Sequence, residues 1–161
     1  MLVRFIFAIA LIFSPMYYQP EASAEPFVDE PNGANNIGIG ANIGLSGTEG
    51  QSEDSVAIFG KLAIERGFSF RPVVGIDENF NINAPITADF PIRNVVGKLQ
   101  ATPFIGAGIA LSDDVQLEVA PLATAGVEIP LSSKTNLVGQ INAAFFDKTA
   151  VGSVVGISQN F

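Results

Sequence analysis

The sequence predicts an all-β chain that folds as an eight-stranded antiparallel up-and-down transmembrane β-barrel, and three observations support this fold class. Short segments of alternating apolar and small residues recur along the chain, separated by Gly, Pro, Asn and Asp. One face of these segments is bulky and apolar and carries no charged residue. The charges in the predicted turns alternate in sign along the chain.

Residues 1–24 have the pattern of a secretory signal peptide. Arg4 precedes a short apolar run over residues 5–13, and Ala22-Ser23-Ala24 is a small-x-small cleavage site. The apolar run is shorter than the roughly 20 residues that a membrane-spanning helix needs. We therefore expect cleavage after Ala24, with an uncleaved N-terminal anchor as the alternative.

The composition excludes several classes of function. The chain contains neither Cys nor His, so it cannot form disulfides, Cys or His metal sites, or a Ser-His-Asp triad. We predict that the protein is not an enzyme and uses no cofactor. Its net charge of −8 disfavours nucleic-acid binding, because phosphate neutralisation needs a basic surface. At 48% apolar and 15% charged, the chain is unusually oily for a soluble domain, in which about a quarter of residues are charged.

Residues 25–36 are predicted to be an irregular leader, and residues 37–161 are predicted to form the barrel. No apolar stripe with the helical period of 3.6 residues lies between the turn signals. The eight predicted strands are 37–45, 56–64, 68–76, 82–92, 99–111, 117–129, 137–145 and 151–161. The last of these ends on an aromatic ring, and we expect it to pair with the first strand and close the ring.

Alternate residues of each predicted strand are bulky and apolar. The first four strands and the last one show this most clearly, through Ile37, Ile39, Ile43 and Leu45; Val56, Ile58, Leu62 and Ile64; Phe68, Phe70 and Val74; Ile82, Ile86 and Phe90; and Val151, Val155, Ile157 and Phe161. Only Ser153 and Gln159 are polar on this face. The interior of an eight-stranded barrel is only just wide enough for side chains to fill, so this bulky face must point outward, towards lipid.

The opposite face consists mostly of Gly, Ala, Ser, Thr, Asn and Gln, and it carries five charged residues: Lys61, Arg71, Asp89, Glu118 and Glu128. In a barrel these five would project into a narrow lumen, where charges must pair or form hydrogen bonds. They are our candidate site residues, either as a salt-bridge gate or as a static polar core. The alternative fold is a soluble β-sandwich, but its outer face would need many more charges.

The turns divide into two groups by charge. The first, third, fifth and seventh turns are acidic, and the second, fourth and sixth are mainly basic through Arg66, Arg93, Lys98 and Lys134. An up-and-down barrel places these two groups at opposite ends, and we expect the basic end and both termini to face the periplasm. The acidic pairs Glu53-Asp54, Asp77-Glu78 and Asp113-Asp114 could bind divalent cations. The alternative is that they are solvated turn residues.

Several of these segments resemble the small eight-stranded outer-membrane barrels of the OmpA, OmpX and opacity-protein type. Pro103-Phe-Ile-Gly-Ala-Gly-Ile-Ala110 resembles the start of their mid-barrel strand, and residues 125–137 resemble their strand–periplasmic turn–strand unit. Phe161 is similar to the terminal aromatic residue that the barrel-insertion machinery recognises in that family. Near-repeats at Asp89-Phe-Pro-Ile92 and Glu128-Ile-Pro-Leu131 end alternate strands.

The resemblance implies a protein of the cell outer membrane in contact with lipid and lipopolysaccharide. It also implies a filled polar lumen and a structural, envelope-integrity role, or a very small ion pore. The chain has no Trp, and its two Tyr lie in the predicted signal, so Phe side chains would have to occupy the membrane interfaces. The alternative function is that of a soluble secreted or periplasmic β-sandwich that acts as a binding or assembly module.

Overall fold

A computed structural model describes residues 33–47, 54–65, 67–76, 80–96, 99–113 and 117–161. The predicted signal peptide and most of the predicted leader lie outside these residues. The described strands are β1 (Asn36–Ser46), β2 (Ser55–Glu65), β3 (Phe68–Phe70), β4 (Val73–Ile76), β5 (Phe80–Asp89), β6 (Ile92–Val96), β7 (Leu99–Asp113), β8 (Leu117–Pro130), β9 (Thr135–Phe145) and β10 (Thr149–Asn160). No helix in the described residues is long and apolar enough to cross a membrane.

Two of the eight predicted strands change at prolines. The predicted strand 68–76 is divided into β3 and β4 at Arg71-Pro72, and the predicted strand 82–92 ends early, at Asp89, with β6 beginning after Phe90-Pro91. Proline has no N–H to donate, so one backbone hydrogen bond is missing at each position, although Pro72 O still accepts from Gly60 N–H at 3.0 Å. β6 pairs only with the start of β7, through Ile92 opposite Ala101 and Val96 opposite Leu99.

The remaining strands form a closed ring of eight positions in the order β1, β2, β3–β4, β5, β7, β8, β9 and β10. Every pairing is antiparallel, and β1 pairs with β10 from Asn36 opposite Asn160 to Ser46 opposite Val151. The predicted up-and-down barrel, including closure by the last strand, is therefore confirmed. The alternative β-sandwich is wrong, because β1 and β10 leave no open edge between two sheets.

The two faces of the ring have the predicted orientation. Large apolar side chains point away from the lumen and are exposed on most of the long strands, among them Ile39, Ile43, Val56, Ile86, Ile105, Ile109, Val119, Ile141, Val155 and Ile157. Phe68, Phe90, Phe145 and Phe161 are about half exposed near the ends of the barrel. The outer surface of the barrel is thus an apolar belt, whereas the lumen holds small, polar and charged side chains together with some larger apolar ones.

We call the end of the barrel that contains Asn36 and Asn160 the terminal pole, and the opposite end the distal pole. Because successive strands are antiparallel, the turn over residues 131–134 lies at the terminal pole and the turn over residues 146–148 lies at the distal pole.

Candidate functional site in the barrel lumen

Four of the five predicted lumen charges meet in the half of the lumen near the terminal pole. Lys61, Arg71, Asp89 and Glu128 come from four different ring positions and are no more than 6% exposed. Lys61, Asp89 and Glu128 lie towards the ends of β2, β5 and β8 at the terminal pole, and Arg71 lies between β3 and β4. All four side chains point into the lumen. We call these four residues the charge cluster.

Glu128 is shared by both cations of the charge cluster. Its Oε2 accepts a hydrogen bond from Arg71 Nη1 at 2.9 Å, and Lys61 Nζ lies 3.4 Å from its carboxylate. Arg71 also reaches across to Asp89, with 3.3 Å between Nη2 and Oδ1. Two positive and two negative charges are thus paired in one buried network. Such a network remains stable only while every member keeps its partners.

Neutral side chains complete the hydrogen bonding of the two carboxylates. Thr87 Oγ1 donates to Asp89 Oδ1 at 3.0 Å, and Ser69 Oγ donates to Asp89 Oδ2 at 2.5 Å. Asn36 Nδ2 donates to Glu128 Oε1 at 3.1 Å. The charge cluster is therefore held from β1, β2, the β3–β4 segment, β5 and β8, which fixes its side chains in one arrangement.

Glu118, the fifth predicted lumen charge, lies apart from the charge cluster. It is partly buried on β8 opposite Ser112, near the distal pole. Glu128 is ten positions further along the same strand, and at about 3.3 Å per residue this is roughly 33 Å along the chain. The sequence pattern predicted that Glu118 faces the lumen, but it did not predict the position of Glu118 along the barrel axis.

A layer of apolar side chains lies next to the charge cluster, further into the lumen. Ala57, Phe59, Val73, Val138 and Val154 contact one another there and are at most 4% exposed. We call these five residues the apolar cluster. This layer differs from the predicted inward face, which consists mostly of small and polar residues. Phe59 is two residues before Lys61 on β2 and therefore faces the lumen as Lys61 does. This shared parity is the sequence signal that could have placed Phe59 inside the barrel.

Two phenylalanine rings occupy space that inward glycines leave free. A Cβ atom at Gly38 or Gly156 would lie 2.6 or 2.7 Å from the ring of Phe59. The ring of Phe104 packs over Gly126 in the same manner, and the guanidinium carbon of Arg71 lies 3.9 Å from the Phe104 ring centroid. This cation–π contact packs the guanidinium of Arg71 against a buried aromatic ring.

Polar side chains border the apolar cluster and continue beyond it, and Gln140 is itself opposite Val154 in the β9–β10 pairing. Asn142 Oδ1 accepts hydrogen bonds from Thr124 Oγ1 at 2.8 Å and from Gln140 Nε2 at 3.2 Å. Asn142 Nδ2 and Ser112 Oγ are buried without a hydrogen-bond partner among the described residues. Buried polar atoms of this kind are normally satisfied by ordered water.

A vestibule opens into the lumen from the terminal pole. Its volume is about 530 Å³, and Lys61 and Glu128 form its inner end. Hydroxyl and amide side chains of Thr102, Ser132 and Asn136 line its walls. The charge cluster can therefore be hydrated from this side, whereas the apolar cluster lies behind it.

These arrangements can pair charges and exclude solvent. Among the residues that the structure describes, no group of three or more acidic side chains is placed to hold a metal ion. Of the acidic turn pairs that the sequence offered for divalent cations, only Asp54 and Asp113 are described. Asp54 Oδ1 accepts a hydrogen bond from the backbone N–H of Gly44 at 3.1 Å, as a turn residue does.

Solved structures of small β-barrels are similar to this chain. The crystal structure of the N-terminal β-barrel domain of Pseudomonas aeruginosa OprF matches with a TM-score of 0.57 and 11% identity, covering 80% of this chain and 97% of that chain. A de novo designed transmembrane β-barrel matches with a TM-score of 0.54 and 12% identity, covering 83% and 98%. The solution structure of the de novo designed TMB2.3 matches with a TM-score of 0.52 and 14% identity, covering 83% and 98%.

No model of a known protein family matches the sequence, and no curated protein matches it. The structural matches therefore show the fold, which is that of the small eight-stranded outer-membrane barrels that the sequence resembles.

Proposed function

We propose that the protein is an integral outer-membrane β-barrel with a closed lumen, and that it serves the envelope as a structural membrane protein without conducting ions. The observation that carries this proposal is the inverted distribution of side chains. The exposed surface of the closed ring is apolar, and the buried interior holds a paired charge network. Only lipid makes such an outer surface favourable, because apolar area exposed to water costs about 25 cal/mol per Å².

The outer membrane is the membrane that fits this architecture. Among structures that span lipid, closed barrels occur in outer membranes, and the predicted signal peptide would export the chain. The likeness to the OprF barrel domain supports the same assignment.

The interior favours a structural role over a pore. Two layers of side chains, the charge cluster and the apolar cluster, cross the lumen in succession. A very small ion pore is the second candidate, and one observation favours it. Glu128 is shared between Lys61 and Arg71, so the two cations could exchange partners and open a path.

Two measurements on the purified wild-type chain test the proposal. Folded protein in detergent should migrate differently on electrophoresis before and after boiling, and it should stay in the membrane fraction after carbonate extraction. Recovery in the soluble periplasmic pool would contradict the assignment to a membrane. In planar bilayers we expect no ion currents. Stable unitary currents from the wild-type protein would contradict the structural role and support the very small ion pore.

We also infer partners of the protein from the surface of the barrel. We propose that the apolar belt contacts outer-membrane lipid and that the distal pole faces lipopolysaccharide. Divalent cations would bridge lipopolysaccharide phosphates to the acidic turns, and thermal stability that is unchanged by a chelator in lipopolysaccharide-containing membranes would count against this bridge. Phe161, 54% exposed after β10, is the proposed contact for the barrel-insertion machinery.

A further inference from the structure

The apolar cluster crosses the lumen from one wall to the other. Its members come from β2, β4, β9 and β10. In the ring order β4 and β9 are four positions apart, on opposite sides of the eight-position ring. Val73 and Val138 therefore approach from opposite walls, and Phe59 and Val154 occupy the space between them.

A second apolar group near the distal pole has a different geometry. Ala110, Leu122 and Ala144 lie on β7, β8 and β9, with Phe146 packed against them. These are three consecutive ring positions, so the group covers one wall and leaves the opposite wall to other side chains. It does not cross the lumen.

Polar surroundings adjoin the apolar cluster on both sides. On the terminal side, Lys61 and Glu128 border the vestibule. On the distal side, Asn142 Nδ2 and Ser112 Oγ are buried polar atoms without a hydrogen-bond partner among the described residues. The apolar cluster therefore lies between two polar regions. Buried polar side chains also border it directly, because Asn42 and Gln140 are the strand partners of Val154, and Asn83 is a strand partner of Val73.

We propose that the apolar cluster, with Phe59 at its centre, is the permeability barrier of the barrel, and that the charge cluster is not. This inference rests on the proposed function, since it assumes a membrane barrel with a closed lumen. Hydrophobic constrictions exclude ions because the ion cannot keep its hydration shell among apolar side chains. A charge network with water on one side offers an ion polar partners instead.

If the Phe59 ring is removed, the residues beside it cannot fill the space that it occupied. The positions under its ring are Gly38 and Gly156, which have no side chains to move into the space. Removal of the ring therefore leaves a gap bounded by glycine backbone.

The test compares potassium flux through liposomes that contain the wild type or one of three single variants. Phe59→Ala removes the barrier, Lys61→Met removes a charge and leaves the apolar cluster intact, and Phe68→Ala is the matched control. Phe68 is half exposed on the outer face, so this variant makes the same change away from the lumen. Each variant is first checked for the heat-dependent gel shift of a folded barrel.

We expect potassium flux with Phe59→Ala, and none with the wild type, Lys61→Met or Phe68→Ala. If Phe59→Ala does not fold, Val154→Thr replaces it, because this substitution keeps the shape of the side chain and places a hydroxyl in the apolar cluster. The inference would be overturned if liposomes with folded Phe59→Ala or Val154→Thr protein showed no more potassium flux than those with the wild type. Potassium flux with Lys61→Met alone would also overturn it. Flux through the wild type would instead overturn the closed lumen of the proposed function.

Discussion

The charge cluster and the apolar cluster lie next to each other in the same lumen and differ in how they tolerate change. In the charge cluster each carboxylate has at least three donors, and Glu128 alone contacts Lys61, Arg71 and Asn36. In the apolar cluster the contacts are non-directional, and their quality depends on shape. The charge cluster therefore depends on the presence of every hydrogen-bonding and charged partner, whereas the apolar cluster depends on side chains that fill its volume.

The charge cluster should show the largest loss of stability, at Glu128. Glu128→Ala leaves Lys61 and Arg71 buried with only Asp89 to balance them. Removal of one partner from a buried ion network costs about 3–5 kcal/mol of unfolding free energy. Urea unfolding in phospholipid vesicles, followed by the heat-dependent gel shift, measures this loss.

Glu118→Ala is the matched control, since it makes the same change on the same strand β8, outside the charge cluster. A change of that kind away from a buried network is usually within about 0.5 kcal/mol. Equal losses for the two variants would show that the charge cluster is not cooperative.

The apolar cluster should be sensitive to added volume. Gly156→Ala places a Cβ atom 2.7 Å from the Phe59 ring, and also 2.6 Å from Gly40 Cα and closer still to the backbone oxygen of Ile39. Overpacking of this kind costs about 1–3 kcal/mol. The same unfolding assay should show this loss for Gly156→Ala and no loss for Gly139→Ala, because a Cβ atom at Gly139 meets nothing within 4 Å. If Gly139→Ala is the more damaging of the two, the close packing around Gly156 is contradicted.

The smallest effect is expected in the polar region beyond the apolar cluster. Thr124→Val keeps the shape of the side chain and removes the donor to Asn142 Oδ1, which retains Gln140 Nε2 as a donor. Loss of one neutral hydrogen bond costs about 1 kcal/mol. Thr149→Val, at an exposed position of β10, should leave the unfolding free energy unchanged. A loss as large as that of Glu128→Ala would mean that this region, too, depends on every partner.

The fold could be predicted from the sequence because alternation with a period of two assigns each side chain to one face. The limited volume of an eight-stranded lumen then decides which face points inward. The strand bounds agree closely with this prediction, from β1 at Asn36–Ser46 to β10 at Thr149–Asn160. The breaks at Pro72 and Pro91 were not predicted, although the missing proline N–H was visible in the sequence.

The site could be predicted only in part, because parity gives the face of a residue and not its height in the barrel. Height depends on the register between strands, which places Lys61 and Glu128 together and leaves Glu118 near the other pole. The apolar cluster was missed for a related reason. Phe59 is a bulky residue on the inward face, and its fit depends on Gly38 and Gly156, which neighbouring strands supply.

The central claim is that the first and last strands pair and close the ring, and a cross-link tests it most directly. Ile39 and Ile157 are opposite each other in the β1–β10 pairing and are both exposed. The chain has no Cys of its own, so Ile39→Cys combined with Ile157→Cys provides a single pair of thiols. Cα atoms of opposed antiparallel residues are about 4.5–5.5 Å apart, within reach of a disulfide.

We predict that this double variant, folded in lipid and treated with copper-phenanthroline, forms an intramolecular disulfide that shifts its mobility on a denaturing gel. Ile39→Cys combined with Ile105→Cys is the control, since β7 lies opposite β1 in the ring, and it should form no such cross-link. A folded Ile39→Cys, Ile157→Cys protein without the disulfide would contradict the closed barrel.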